Sequence, residues 1–339
     1  MFKGGNKLKC AICGGGASYK VRSIEGYKRG QKFDVLACDN CQVSYVNPLL
    51  PDQRLYEAIY SNVQNVPGYS GYFELANAVS KASDPLAYIA SADGCYFGVA
   101  KHIRDTVVAP NTYPIVEIGC GQGYLTYALN KAGYRTIGVD ISEAGICLAK
   151  ERFGDNYFCG QIADWVNASN QRPALIVCTE LIEHLSDPFE FMQIALENLD
   201  SGGQLLFTTP HKVEGEVGVW DTELPPVHLW WFSKKSLVEM SSRLNAGIQF
   251  VDLSKYYFDN PGHRPGPERE KPLHSSLFDE SYNLMAPVKY KSAFRKKLRN
   301  FEKQLKSLIY KLIGRNMLDG QVPFTDANSI SICAVLTKR

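Results

Sequence analysis

The chain has no run of about eighteen consecutive apolar residues, so no segment is suited to cross a membrane as a helix. Its start, Met1-Phe-Lys-Gly-Gly-Asn-Lys7, lacks the apolar segment of a secretory leader, and secretion is not supported. An excess of one charge is missing too: 37 Lys and Arg face 35 Asp and Glu, a net charge of +2. The broad basic field of a typical nucleic-acid binder is therefore absent, and any basic surface is local. No internal repeats or low-complexity tracts are evident. What remains is the composition of a soluble globular protein, 339 residues with 45% apolar content, long enough for one main core plus an appendage.

Of the ten cysteines, four are paired by spacing. Cys10-Ala-Ile-Cys13 and Cys38-Asp-Asn-Cys41 are two CxxC turns separated by strand-like sequence. Converging thiolates of this kind form a four-sulfur tetrahedral site that zinc fills without redox chemistry; such a closed site is structural, since no position is left for a substrate. A ribbon of this size has too little core to fold alone, and structural zinc contributes ~10–16 kcal/mol in small fingers. The other six, Cys95, Cys120, Cys147, Cys159, Cys178 and Cys333, are scattered mostly within apolar patterns, as expected of reduced core thiols in a cytoplasmic protein.

The organising stretch is Ile115-Val-Glu-Ile-Gly-Cys-Gly-Gln-Gly123. Its β-branched residues read as a buried parallel strand, and Gly119, Gly121 and Gly123 permit a sharp turn and close approach to a ligand. A helix from Tyr124 and a second strand, Arg135 to Asp140, follow, so a carboxylate arrives about twenty residues after the glycines, where doubly wound folds meet a ribose. No Lys-Ser/Thr pair follows the last glycine, which excludes a phosphate-cradling P-loop. Tyr124 occupies the place of a dinucleotide fingerprint's third glycine, which disfavours NAD or FAD. Glu117, ahead of the turn, is unsuited to a pyrophosphate and suited to a cation, so the residues favour a cationic adenosine cofactor.

These residues resemble the first motif, E/D-x-G-x-G-x-G, of the class I S-adenosylmethionine methyltransferases, whose second strand also ends in Asp or Glu. The resemblance implies an α/β fold with a Rossmann-like seven-stranded sheet, here with a small N-terminal zinc ribbon and a helical insertion before the last strand. It implies S-adenosylmethionine as cofactor, held by Glu117, Gly119, Gly121, Gly123, Asp140, Ile141, Gln161, Ile162 and Thr179.

The expected organisation is a zinc ribbon over 1–50, a helical lid and linker over 51–110, the methyltransferase domain over 111–258 and 328–339, and an insertion over 259–327. Val46 to Pro51 reads as a linker. Lid tyrosines Tyr56, Tyr60, Tyr69 and Tyr72 are placed to cover the cofactor. The remaining strands are expected at Tyr157 to Ile162, Leu175 to Cys178, Gln204 to Thr209, Ile248 to Phe258 and, antiparallel, Ser329 to Leu336. Within the insertion, Lys289 to Ile313 has apolar residues at steps of three and four; nine Lys and Arg between Lys289 and Lys311 face the single acid Glu302. A membrane surface, an anionic glycan or RNA would suit that basic face, as would plain solvent with the apolar stripe packed on the domain.

Methyl transfer needs the donor and nucleophile held in line and, for a hydroxyl, a proton acceptor. His184, His211 and His228 are expected at strand carboxyl ends and titrate near neutrality. If Thr179 to Leu185 opens a helix, Glu180, Glu183 and His184 share a face. Glu180-Leu-Ile-Glu-His184 resembles the E-x-x-E-H motif of ubiquinone O-methyltransferases and small-RNA 2′-O-methyltransferases. That likeness implies a divalent ion such as Mg²⁺ or Mn²⁺ at Glu180, Glu183 and His184, with His228 in the place of the RNA enzymes' later histidine; acid–base or positioning work by His184 or His228 is the other reading. The ribbon-plus-domain arrangement resembles enzymes that modify sugars or natural products, implying O- or C-methylation of a small molecule or glycan. An RNA methyltransferase and a non-catalytic cofactor-binding partner protein are the alternatives.

Overall fold

The computed structural model describes residues 8–66, 69–107, 114–213, 216, 224–260, 263, 276–285 and 329–338. In chain order, β1 (Leu8–Lys9), β2 (Gly16–Glu25), β3 (Lys32–Cys38) and β4 (Ser44–Asn47) form the ribbon. Four helices follow: α1 (Gln53–Ser61), α2 (Ser70–Ala78), α3 (Pro85–Ala92) and α4 (Gly94–Thr106). Three of them start at an aspartate, Asp52, Asp84 and Asp93, whose side chain accepts an otherwise unpaired first-turn N–H.

The larger sheet and its helices are then laid down as β5 (Ile115–Ile118), α5 (Tyr124–Lys131), β6 (Thr136–Asp140), α6 (Glu143–Phe153), β7 (Tyr157–Cys159), α7 (Ile162–Ser169), β8 (Leu175–Thr179), α8 (Pro188–Asn198) and β9 (Gln204–Pro210). After β10 (Trp230–Trp231) come α9 (Lys234–Arg243), β11 (Ala246–Phe250), α10 (Ser254–Asp259) and β12 (Ser331–Lys338). The large sheet has seven strands in the order β11-β12-β9-β8-β5-β6-β7. Strands β5 to β9 are parallel, and β12 runs antiparallel between β9 and β11. Buried on both faces, β5 and β8 are almost wholly apolar rather than alternating. The strand order reverses between β5 and β8, which opens a crevice at their carboxyl ends, where open α/β sheets bind ligands.

Three expectations need correction. The third strand stops at Cys159: Gly160 has φ 146°, and Gln161 caps α7 through a reciprocal bond with Asp164, so Gln161 and Ile162 open a helix. The sixth strand ends at Phe250, because the Asp252 carboxylate accepts from the Ser254 N–H at 2.9 Å and turns the chain into α10, burying Tyr256 and Tyr257.

The ribbon, thirdly, is no detached module behind a linker. Val46 and Asn47 belong to β4, and β10 adds a fifth strand to the ribbon sheet, pairing Trp230 with Tyr45 and Trp231 with Ser44. Apolar residues of the ribbon and of the large sheet share one core. Side chains after β9 hold both cysteine turns: Lys212 Nζ donates to the Gln42 carbonyl at 2.8 Å, the Ser233 hydroxyl to that of Cys41 at 3.1 Å, and Arg243 to those of Ala11 and Ile12. The insertion contributes residues 276–285, where the N–H groups of Leu277 and Phe278 both donate to the Tyr27 carbonyl. The expected basic helix, Lys289 to Ile313, lies outside the described residues, as do the parts of the lid at 67–68 and 108–110. Among the described residues no helix is long and apolar enough to cross a membrane.

Candidate active site

The glycine turn leaves β5 with Gly119, Gly121 and Gly123 all at positive φ (72°, 49° and 79°). Two of these positions show what the turn does. At Gly123 a Cβ would stand 2.6 Å from the Tyr157 ring and 2.8 Å from the Ala149 Cβ, so glycine is needed for packing; at Gly121 a Cβ would meet nothing within 4 Å, so the backbone faces open space. Asp140, at the end of the neighbouring β6, accepts the Gly121 N–H on Oδ2 at 2.9 Å and the Ser142 N–H on Oδ1 at 2.8 Å. Ile141 beside it is 74% exposed, an apolar side chain with no protein packing to account for it. An open backbone cradle, a carboxylate at its rim and a bare apolar side chain match the demands of an adenosine cofactor, so the residues fit S-adenosylmethionine. Glu117 is buried, and Thr126 in α5 donates to its carboxylate; burial raises it to about 7. It ties β5 to α5.

Beside this turn the chain leaving β8 makes the second half of the site, and Leu181 packs against Gly119. Glu180 adopts a left-handed conformation (φ 49°), and only a short 3-10 turn, Ile182–His184, follows. The expected helix over Thr179 to Leu185 is therefore corrected: the left-handed residue breaks the regular spacing, and Glu180 does not share a face with Glu183 and His184. The side chains that do converge are Glu183, His184 and His228, whose ligand atoms lie within 4.8 Å of one another. Thr179, at the end of β8, is partly buried in register with Thr208. His211 is placed elsewhere, its Nδ1 donating to the Ser329 carbonyl at 2.9 Å next to β12; grouping it with the other two histidines is corrected too.

Local bonds set the chemistry of this group. His184 Nδ1 lies 2.8 Å from the Val227 carbonyl, an acceptor only, so Nδ1 carries the proton and Nε2 keeps its lone pair. Nε2 is 3.8 Å from Glu183 Oε1, and the His184 and His228 rings meet edge-on at 4.5 Å. Burial lowers His184 to about 4 and pushes His228 down as well, with the neighbouring His184 adding to the latter. Both imidazoles are thus neutral at pH 7. Glu183 accepts the Thr209 hydroxyl at 3.0 Å on Oε2, and its own carbonyl accepts the Leu229 N–H at 2.8 Å. Sequence reasoning missed Thr209 and Val227: the first reads as an ordinary strand residue, and the second acts through its backbone, which no side-chain pattern signals.

Three of the lid tyrosines are partly buried toward the site: Tyr56 donates to the Val227 carbonyl at 2.8 Å, and Tyr69 and Tyr72 are in electrostatic reach of Glu183 and Glu180 respectively. Tyr60, on the side of Asp140, is 57% exposed.

The four ribbon thiols also lie within 4.8 Å of one another, with Sγ···Sγ separations of 3.7 Å for Cys10 and Cys41 and 3.4 Å for Cys13 and Cys38. Zinc–sulfur bonds of about 2.3 Å in a tetrahedron need sulfurs about 3.8 Å apart, so the donor set fits zinc. Backbone N–H groups of Ile12, Gly15 and Asn40 point at Cys10, Cys13 and Cys38, each at 3.4 Å, as suits thiolates.

A protein-family model described as "Methyltransferase domain" matches residues 96–247, the segment that carries both halves of the crevice. Residues 96–247 are thus similar to a methyltransferase domain. The chain is 36% identical over 114 residues to the ubiquinone biosynthesis O-methyltransferase of Coxiella burnetii, covering 32% of this chain and 48% of that one. The corresponding protein of Hydrogenovibrio crunogenus is 29% identical over 100 residues, 28% of this chain and 42% of its own. The chain thus spans about half the length of the curated relatives it matches. Similar solved structures include the plantazolicin methyltransferase BpumL in complex with SAH, at 14% identity and a TM-score of 0.41 over 85% of this chain and 98% of that one.

Proposed function

We propose that this methyltransferase transfers a methyl group from S-adenosylmethionine to a hydroxyl oxygen of a small molecule, with His184 as the general base. The observation that carries the reading is the bond from His184 Nδ1 to the Val227 carbonyl: it commits the ring proton to Nδ1 and leaves Nε2, on the side of Glu183 and His228, as the acceptor nitrogen. The bound cofactor supplies an electrophilic methyl on sulfonium. Asp140 and Gly121 orient the donor's ribose end, and Ile141 offers an apolar face to the base. Nε2 of His184 takes the hydroxyl proton as the oxygen attacks, and Glu183 stabilises the imidazolium that forms. Tyr56, Tyr69 and Tyr72 limit water at this step. The likeness to ubiquinone biosynthesis O-methyltransferases supports oxygen as the acceptor, and the resemblance of the ribbon-plus-domain arrangement to enzymes that modify sugars or natural products is what favours a substrate of that kind.

A second reading keeps the same residues and rests on the 4.8 Å group: Glu183, His184 and His228 are one carboxylate and two imidazoles, a donor set that Mg²⁺, Mn²⁺ or Zn²⁺ accepts. In that reading Nε2 is a ligand rather than a base. An assay with methyl-labelled donor and a panel of phenolic and sugar hydroxyls separates the two. Transfer by the native enzyme that survives EDTA, with ribbon zinc retained, and that falls at least ~100-fold in His184→Gln supports the base. Transfer lost in EDTA and restored by Mg²⁺ supports the ion, and undiminished transfer in His184→Gln rejects both.

A further inference from the structure

The Val227 carbonyl accepts two hydrogen bonds, from His184 Nδ1 and from the Tyr56 hydroxyl, each at 2.8 Å. A carbonyl has two lone pairs, so this one is saturated, and in a fully buried residue neither donor has water as a substitute. Tyr56 lies on α1, which belongs to the lid and not to the sheet, while His184 leaves β8. The two rings also meet edge-on, with centroids 6.1 Å apart.

Helix α1 buries Leu55 and Ile59 in the shared core and is also tied to the ribbon and the insertion by polar bonds. Its cap, Asp52, receives Leu55 N–H on Oδ1, and on Oδ2 both the Gln31 side chain from the ribbon turn and the Tyr282 hydroxyl from the insertion, each at 3.1 Å. Lys28 of the ribbon and Arg54 of α1 both lie against the Tyr282 ring, at 3.9 and 4.6 Å from its centroid. Ribbon, insertion and lid helix therefore meet at one residue, one turn from Tyr56.

We propose that Tyr56 is a positioning residue that makes the acceptor form of His184 conditional on a seated lid helix. When α1 is docked, Tyr56 and His184 together fix the Val227 carbonyl, Nδ1 holds the proton and Nε2 accepts. When α1 lifts, the carbonyl loses one donor and its fixed direction, and His184 is free to exchange tautomers. The base is then competent only beneath a closed lid, which confines proton transfer to the water-excluded state. This inference rests on His184 being the base, but its physical content is a tautomer, observable without turnover.

The test is the nitrogen–proton correlation spectrum of the full-length protein labelled with ¹⁵N-histidine, with the His184 signals assigned by their loss in His184→Gln. The native protein shows His184 as the single Nδ1–H tautomer. Tyr56→Phe keeps the ring and its packing and shows a mixture, while kcat falls about tenfold and KM for the methyl donor changes less than about twofold. Asp52→Ala, which frees the start of α1 without touching the site, moves the tautomer in the same direction and serves if Tyr56→Phe does not fold. An unchanged tautomer in both variants overturns the proposal, whatever the rate does. A shifted tautomer in a protein that methylates no hydroxyl upholds the coupling and sinks the assignment of His184 as base.

Discussion

His184 donates from Nδ1 to the Val227 carbonyl in a site buried enough to hold the ring neutral, with burial lowering it from 6.5 to about 4. An unfolded chain binds a proton at this position below about pH 6.5, whereas the folded one resists until about pH 4. The stabilising contribution is therefore complete above pH 6.5 and is lost as pH falls through 4. Glu117 works the other way: burial raises it from 4.5 to about 7, so its contribution shrinks as pH rises through that range. The raw pH profile mixes the two. Denaturant curves of native protein and His184→Gln, subtracted at each pH, isolate the histidine, and the difference should grow by roughly 2–3 kcal/mol from pH 4 to 6.5. A difference independent of pH would show that the ring titrates normally.

The same neutrality sets the acid limb of catalysis. With the base already deprotonated, kcat/KM should stay level down to about pH 5 instead of falling at the ordinary histidine value of about 6.5. A limb centred near 6.5 contradicts the buried, neutral His184.

The ribbon should carry one zinc per chain, measurable by elemental analysis, on Cys10, Cys13, Cys38 and Cys41. Because β4 pairs with β10 and the Val46 N–H donates to the Leu229 carbonyl, the metal supports the segment that presents Val227 and His228. Cys38→Ser should lower Tm by about 5 °C or more, reflecting a loss of several kcal/mol. Folded native protein free of zinc would refute the site.

Two glycines two residues apart should fail in different ways. Gly123→Ala forces a Cβ into Tyr157 and Ala149 at positive φ and should cost about 2–4 kcal/mol of stability. Gly121→Ala has open space around it and should cost only about 1 kcal/mol, while weakening the cofactor by intruding on its path. Thermal melts paired with ligand titrations distinguish the two; equal destabilisation would mean that Gly121 serves packing as well.

The sheet was largely legible in the sequence because parallel strands buried on both faces, such as Ile115–Ile118 and Leu175–Thr179, appear as unbroken apolar runs bounded by turns. The cysteine turns were legible from spacing. What escaped depended on backbone geometry. Glu180 is left-handed, which no residue type announces for a glutamate, so a helical face was expected where a 3-10 turn exists. Gln161 and Asp164 form a capping box without the usual Ser or Thr, and a strand was extended into α7. Trp230–Trp231 is too short to read as a strand, and its pairing with β4 fuses two segments that appear separate in the chain. Tyr56 and Val227 are 171 positions apart, and a side chain that meets a distant carbonyl leaves no trace in spacing.

The central claim is that the crevice between β5 and β8 binds a methyl donor through Asp140 and the glycine turn. Calorimetric titration of the full chain with S-adenosylhomocysteine tests it most directly, with NAD as competitor and Asp140→Ala as the variant. One site per chain, no competition by NAD, and a loss of ~1.5–3 kcal/mol in the variant, as for charge-assisted hydrogen bonds, are predicted. Absence of binding, tighter binding of NAD, or full affinity in Asp140→Ala would contradict the account.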